Sequence, residues 1–253
     1  MAQGSPSLGY LLKPIGVSEA RRRAAGVKQS RTIAIDGPSA AGKSSVGHRV
    51  AQRLGFPFLD TGAMYRALTW LALQRGVDIE DAQALGRLAR EVDVRLDAPQ
   101  PGSPEHCTIW VDGVDLTPML RRPEVEAAVS LVSRAPALRR AMVGVQRRLA
   151  RNGPLVMAGR DIGTVVLPKA DLKVYLDASM EERVRRRQKE MTDLGRPASV
   201  AEVRRNILHR DSIDSSRKTA PLRPAADAII IDTDNLTEEQ VVERVLCLAE
   251  GKA

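Results

Sequence analysis

From Thr32 onward, short apolar runs alternate with stretches in which apolar residues recur every three or four positions. The run "TIAID" has the length of a buried strand, and after a glycine-bearing turn Val46, Val50 and Leu54 share one helical face that stops at Gly55. "PFLD" predicts a second short strand, and "TGAMYRALTWLALQRG" a helix with Thr61 as its N-cap and Gly76 at its end. "LVMAG", "DLKVYLD" and "AIIID" repeat the buried-strand pattern later in the chain. Helices are predicted after Ser179 and Ser199, each followed three residues on by a glutamate (Glu182, Glu202) at capping-box spacing, and over "TEEQVVERVLCLA". Five short apolar strands alternating with helices predict an α/β fold, a parallel sheet covered on both faces.

The middle of the chain follows a different period. "EVDVRLD" and "CTIWVDGVDL" alternate every second residue, Asp112-Gly113 marks a hairpin turn, and "APQPGSPEH" reads as a loop between them. Two helical segments follow, one through Val125–Val132 and one with Leu138, Met142, Val145 and Leu149 on a single stripe. This predicts a small α/β insertion hung on the main sheet.

Composition narrows the class. With 253 residues, 43% hydrophobic and only 3% aromatic, the core must be built from Leu, Val, Ile and Ala. The formal net charge of +8 suits an anionic partner, and charge alone does not choose between nucleic acid, a membrane surface and a phosphorylated small molecule. No apolar run approaches the roughly 18–20 residues that cross a bilayer, so a soluble, cytoplasmic protein without a membrane partner is expected. Cys107 and Cys247 match no metal-ligand spacing, and His48, His106 and His209 are not expected to cluster; the thiols read as reduced and incidental. Residues 1–30 carry several basic residues, one acid (Glu19) and no long apolar core, and read as a disordered N-terminal extension.

Chemistry enters at Gly37-Pro38-Ser39-Ala40-Ala41-Gly42-Lys43-Ser44, a match to the phosphate-cradling pattern G-x-x-x-x-G-K-[ST], followed by Ser45. Such a turn aims backbone N–H groups inward, and the helix N-terminus behind it adds a field favourable to anions. Lys43 reaches the β- and γ-phosphates of a nucleotide, and the Ser44 hydroxyl can ligate magnesium. The strand before and the amphipathic helix after are the context that the motif requires. No N-K-x-D base-recognition motif accompanies it. His209-Arg210-Asp211 matches the start of a protein-kinase catalytic loop, but Ser216 stands where asparagine is needed and no D-F-G follows, so the match is accidental.

The arginines indicate a second anionic ligand. Arg66 follows Thr61-Gly62 on a helix, and Arg160-Asp161 follows a strand at the C-terminal edge, where open α/β sheets bind ligands. Arg210, Asp214 and Arg217 share one helical face, an arrangement that also suits a solvated face held by ion pairs. Arg183, Arg186 and Arg187 in "ERVRRRQKE" fit equally a lid over the donor phosphates and an exposed basic helix; "TDLGRP" breaks the structure afterwards.

Taken in order, "DGPSAAGKSS", "LDTGAMYRA", "AGRDIGTVV", "LDASMEERVRRR", "HRDSIDSSRKTAPL" and "PAADAIIIDT" make the chain from Thr32 onward resemble bacterial cytidylate (CMP) kinases. The resemblance implies a nucleoside monophosphate kinase fold with a five-stranded parallel core (31–62 and 153–253), a monophosphate-binding region with its insertion (about 63–152) and a lid (about 183–199). It implies ATP and Mg²⁺ on the donor side and CMP or dCMP as acceptor, in a monomer that needs no nucleic acid. Matching positions assign Arg66, Arg160 and Arg217 to the acceptor's phosphate, Arg210 and Asp214 to its sugar, and Ser130, Arg139 and Asp161 to its base, with Thr61 beside them. Lys43, Arg160, Arg183, Arg187 and Arg217 would carry the transfer. Thr61 stands where many members have serine, and Ser44-Ser45 where others have Gly-Thr or Ser-Thr; both changes keep a hydroxyl. The rival readings are a UMP/CMP kinase with relaxed base choice and a nucleic-acid-dependent ATPase that uses the basic surface, against which the scarce aromatics count.

Overall fold

The computed structural model describes residues 31–100, 103 and 105–251; the extension expected over residues 1–30 lies outside them. In chain order the elements are β1 (Thr32–Asp36), α1 (Lys43–Leu54), β2 (Phe58–Asp60), α2 (Thr61–Gln74), α3 (Ala82–Glu91), β3 (Val94–Asp97), β4 (Thr108–Val111), β5 (Val114–Asp115), α4 (Pro123–Arg134), α5 (Pro136–Ala150), β6 (Leu155–Gly159), β7 (Leu172–Asp177), α6 (Met180–Asp193), α7 (Val200–Ser216), β8 (Ile229–Asp232) and α8 (Glu238–Ala249). A π-helical turn, Ile162–Val166, follows β6.

The five predicted strands form one parallel sheet in the order β2-β6-β1-β7-β8. Period-two alternation divides its side chains between two cores. Ala34, Leu155 and Met157 pack with α2, α4 and α5 on one face, while Ile33, Ile35, Val156, Ala158 and Val174 pack with α1 and α8 on the other. Each fully buried Leu, Ile or Met contributes about 1.5–3 kcal/mol. Cover thins at the β8 edge, where Ile229 and Ile230 are exposed. The predicted hairpin forms within a second, antiparallel sheet, β3-β4-β5, turning at Asp112-Gly113.

Several local expectations are corrected. Asp60, not Thr61, caps α2: its Oδ1 accepts from the N–H of Gly62 (2.8 Å) and Ala63 (3.3 Å), which leaves Thr61 as the first helical residue. Only half of each predicted capping box forms, because Ser179 and Ser199 accept from the Glu182 and Glu202 amides without a reciprocal bond. Glu182 instead binds Arg185 and Arg186. The helix α3 was not expected; its Gly86 argues against a helix, yet a Cβ there would lie 2.4 Å from that of Ala137, so the glycine is what lets α3 cross α5 closely. Two histidines do meet, since α1 and the loop before β4 bring the His48 and His106 rings into a stack at 5.1 Å.

Candidate active site

The donor side is built by one continuous stretch. β1 delivers the chain into the loop at Gly37, where a Cβ would fall 2.2 Å from the Leu176 carbonyl oxygen of β7; only glycine lets the loop start this close to the sheet. The loop ends at Gly42, which enters α1 from a left-handed conformation (φ +87°). Helices α2, α3, α6, α7 and α8 have side-chain caps, and α4 and α5 begin with a proline. Helix α1 has neither, so its first N–H groups receive no side-chain cap and remain available to an anion. Lys43 bends back to donate to the Pro38 carbonyl (2.5 Å). Burial, with Arg160 adding to it, pushes the Lys43 ammonium well below its ordinary range, against the pull of Asp60, Asp211 and Asp36.

Two carboxylates frame this loop. Asp36, at the end of β1, accepts from the backbone N–H of Ile162 (2.8 Å) and Gly163 (2.7 Å), and burial raises it to about 6. Asp60 Oδ2 accepts from the Ser44 hydroxyl at 2.7 Å. Burial alone would raise Asp60, but Arg66, the Ser44 hydroxyl and Arg121 outweigh it and hold the carboxyl below its ordinary value. A hydroxyl beside an ionised carboxylate is a hard-oxygen pair that suits Mg²⁺. No group of three or more His, Cys, Asp or Glu residues among the described residues could hold a metal ion.

A cleft of about 560 Å³ runs from this loop to the arginines. Of the loop residues, Ser39, Ala40, Gly42, Lys43, Ser44 and Ser45 line it, while Gly37, Pro38 and Ala41 lie behind. Across the cleft, charges from distant parts of the chain meet. Arg160 donates to Asp214 (3.0 Å), which Arg217 also approaches (3.6 Å). Arg139 donates to Asp161 (2.5 Å) and to the Ser133 carbonyl (3.1 Å), and its guanidinium lies 5.3 Å from the Tyr65 ring centroid. Ser130 is buried alongside, and the Thr61 hydroxyl donates to the Ala158 carbonyl (2.8 Å). Arg66, Arg187 and Arg210 converge on Glu126 at 2.8, 2.8 and 3.0 Å. Burial lowers Arg210 to about 10, with Glu126 opposing the shift. Arg210 Nε and Arg217 Nη2 are buried without an acceptor among the described residues.

One of the expected arginines does not join the cleft. Arg183 is buried behind the loop, paired with Asp211 and donating to the Ser39 carbonyl, and does not line the cavity as Arg186 and Arg187 do. Asp211 also accepts from the Ser39 N–H (3.1 Å), so the aspartate of the discounted His209–Asp211 match braces the donor loop. Asp36, Asp60, Glu126 and Asp211 escaped the sequence reading because their partners lie from 16 to 172 positions away. Asp60 carried a local signal: an acid directly before a helix.

An uncapped glycine-rich loop opening α1, a five-stranded parallel sheet, and a facing cleft rich in arginine define the class: a phosphate-loop protein with the nucleoside monophosphate kinase fold. Comparison with known proteins narrows it. The cytidylate kinase family profile matches residues 33–251, and the chain belongs to that family. A cytidylate kinase of Geobacillus kaustophilus is 50% identical over 87% of this chain and 96% of its own length, and one from Geobacillus thermodenitrificans is 51% identical over 85% and 94%. Among solved structures, a shikimate kinase from Acinetobacter baumannii aligns over 87% of this chain and 92% of its own, with 18% identity and a TM-score of 0.43. No helix among the described residues is long and apolar enough to cross a membrane.

Proposed function

We infer that this chain transfers the γ-phosphate of ATP to the 5′-phosphate of CMP, and of dCMP, giving the diphosphate and ADP. The observation that carries the reading is the Arg139–Asp161 pair, buried in the cleft across from the open N-terminus of α1. Arginine donors beside a carboxylate acceptor complement the edge of cytosine, whose O2 and N3 accept and whose N4 amino group donates. Uracil reverses the polarity at N3 and at position four. Leaving Asp161 without its N4 donor there costs roughly 1–3 kcal/mol or more, discrimination on the order of tenfold or greater. Ser130 adds a hydroxyl for the same edge.

The remaining roles are those that the family resemblance implies for these residues. Amides of the loop hold the donor's phosphates, and Lys43 reaches its outer ones. Ser44, supported by Asp60, would hold Mg²⁺, which when bound neutralises phosphate oxygens. Arg66, Arg160 and Arg217 take the acceptor's phosphate, Arg210 and Asp214 its sugar, and Arg187 borders the transfer path. We assign Arg183 a bracing role beneath the loop. No general base is required, because a phosphate monoester with a second pKa near 6 is already mostly deprotonated at neutral pH. Catalysis is then positioning plus charge neutralisation. On this reading residues 31–62 and 153–253 form the core, about 63–152 the acceptor region and about 183–199 the lid.

The test is ADP formation from ATP and Mg²⁺ with CMP, dCMP, UMP, AMP or GMP, using wild type and Asp161→Asn. Turnover on CMP and dCMP, with the preference over UMP reduced about tenfold or more in the variant, is expected. Equal wild-type turnover on UMP overturns the role of Asp161. ADP formation that needs no acceptor, or that polynucleotide stimulates, overturns the reaction itself.

A further inference from the structure

Three acceptor-side arginines converge on Glu126, and nothing in the chemistry above requires it. It sits in the first turn of α4, within the inserted region. Its Oε1 accepts from Arg66 Nε of α2 (2.8 Å), and its Oε2 from Arg187 Nη2 of α6 (2.8 Å) and Arg210 Nη1 of α7 (3.0 Å). Arg121 Nη1 approaches to 4.0 Å. All four arginines line the cleft, whereas Glu126 does not; the carboxylate holds them from behind. We propose that Glu126 is a positioning residue that gathers arginines from three helices into a preformed acceptor site, holding Arg66 for the phosphate, Arg210 for the sugar and Arg187 beside the transfer path.

The atoms used support holding rather than blocking. Arg66 engages Glu126 through Nε, which leaves both of its Nη groups for a bidentate grip on a phosphate. Arg210 offers Nη1 and keeps a buried Nε with no acceptor among the described residues. Guanidiniums brought this close repel one another, and a buried anion between them offsets that repulsion before any substrate arrives. The same contacts join the insertion, through α4, to α6 and α7, so the acceptor site keeps its shape across two parts of the molecule. Burial alone would raise the Glu126 carboxyl, yet Arg66, Arg210 and Arg187 hold it well below the usual range.

The proposal rests on the acceptor reading above, and its test separates the two. Steady-state kinetics of Glu126→Gln should show KM for CMP raised about tenfold or more, with KM for ATP within about twofold of wild type. Glu126→Asp, which keeps the charge, should recover most of the loss. Inorganic sulfate serves as a probe that needs no catalysis: it should raise the Tm of Glu126→Gln more than that of wild type, because an arginine cluster deprived of its internal anion takes up an external one. An unchanged or lowered KM for CMP in Glu126→Gln overturns the proposal, as does a parallel rise in both KM values without rescue by aspartate. If Glu126→Gln does not fold, Glu126→Ala takes its place: a selective rise in KM for CMP supports the proposal and an unchanged KM overturns it. If wild type does not use CMP, the acceptor reading fails, and equal sulfate shifts in wild type and Glu126→Gln would overturn the role of Glu126 separately.

Discussion

The two sides of the cleft reach readiness for an anion in opposite ways. On the donor side one stretch, Gly37–Ser45, presents backbone amides and a single lysine, and the helix it opens has no side-chain cap to compete for them. On the acceptor side the groups are side chains from α2, α5, α6, α7 and the turn after β6, and its charges are already engaged within the protein: Arg139 with Asp161, Arg160 with Asp214, and Arg66, Arg187 and Arg210 with Glu126. Amides carry no net charge and can wait unpaired at a surface cleft. Clustered guanidiniums cannot, because burial and mutual repulsion both penalise them, so the acceptor-side carboxylates compensate guanidinium charge, whereas the donor side's Asp60 and Asp211 hold a hydroxyl and a backbone amide of the loop.

Lys43→Ala probes that contrast most severely. Removing the only loop cation aimed at the outer phosphates should lower kcat by about 10²–10³-fold while KM for CMP stays within about threefold. A comparable rise in KM for CMP would mean that the two sides do not work separately. Gly37→Ala tests whether the donor side depends on backbone placement. A Cβ 2.2 Å from the Leu176 carbonyl oxygen forces loop and sheet apart, and chemical denaturation should show a loss of about 3 kcal/mol or more. A loss under about 1 kcal/mol would show that the loop can shift without cost.

The same contrast sets what the sequence could reveal. The five strands of the main sheet and the loop are legible because the information is local: an apolar run, a turn, a helical stripe. Arg66 and Arg160 had a positional signal, at a helix start and a strand end, and Arg210 and Arg217 fitted a solvated face as well as a site; Arg139 was singled out only through the family resemblance, because nothing in its local spacing distinguishes a binding arginine from a solvated one. Glu126 and Asp211 left no signal, since each acquires meaning only when α7 folds against the insertion or the loop. Helix α3 is a different case. Asp81 before it and Leu85, Leu88 and Ala89 within it were a readable signal that Gly86 masked, and the glycine is explained only by its contact with Ala137 of α5. Local chemistry is written in consecutive residues, while electrostatic compensation is written across the whole fold.

Asp36 is where the two sides join, and it gives the smallest and most specific effect. It ends β1 directly before the loop, yet both of its oxygens accept from amides of the turn that follows Asp161. Its folded-state value of about 6 lies above the ordinary 3.8, because burial outweighs the two amide bonds. The folded state therefore holds this proton more tightly than the unfolded chain does. The stability gained from it is complete below 3.8 and is lost as pH rises through 6, a change on the order of 3 kcal/mol. Asp36→Asn cannot titrate, and the other ionising groups are common to both proteins. The difference in unfolding free energy, wild type minus variant, should therefore fall between pH 4 and pH 7 by roughly that amount. Parallel curves would mean that Asp36 ionises at an ordinary value and that its carboxylate carries no burial penalty. A falling difference would mean that the link between donor loop and acceptor turn is kept ionised at neutral pH at a cost in stability, in return for two acceptor oxygens that a protonated acid or an amide cannot both supply.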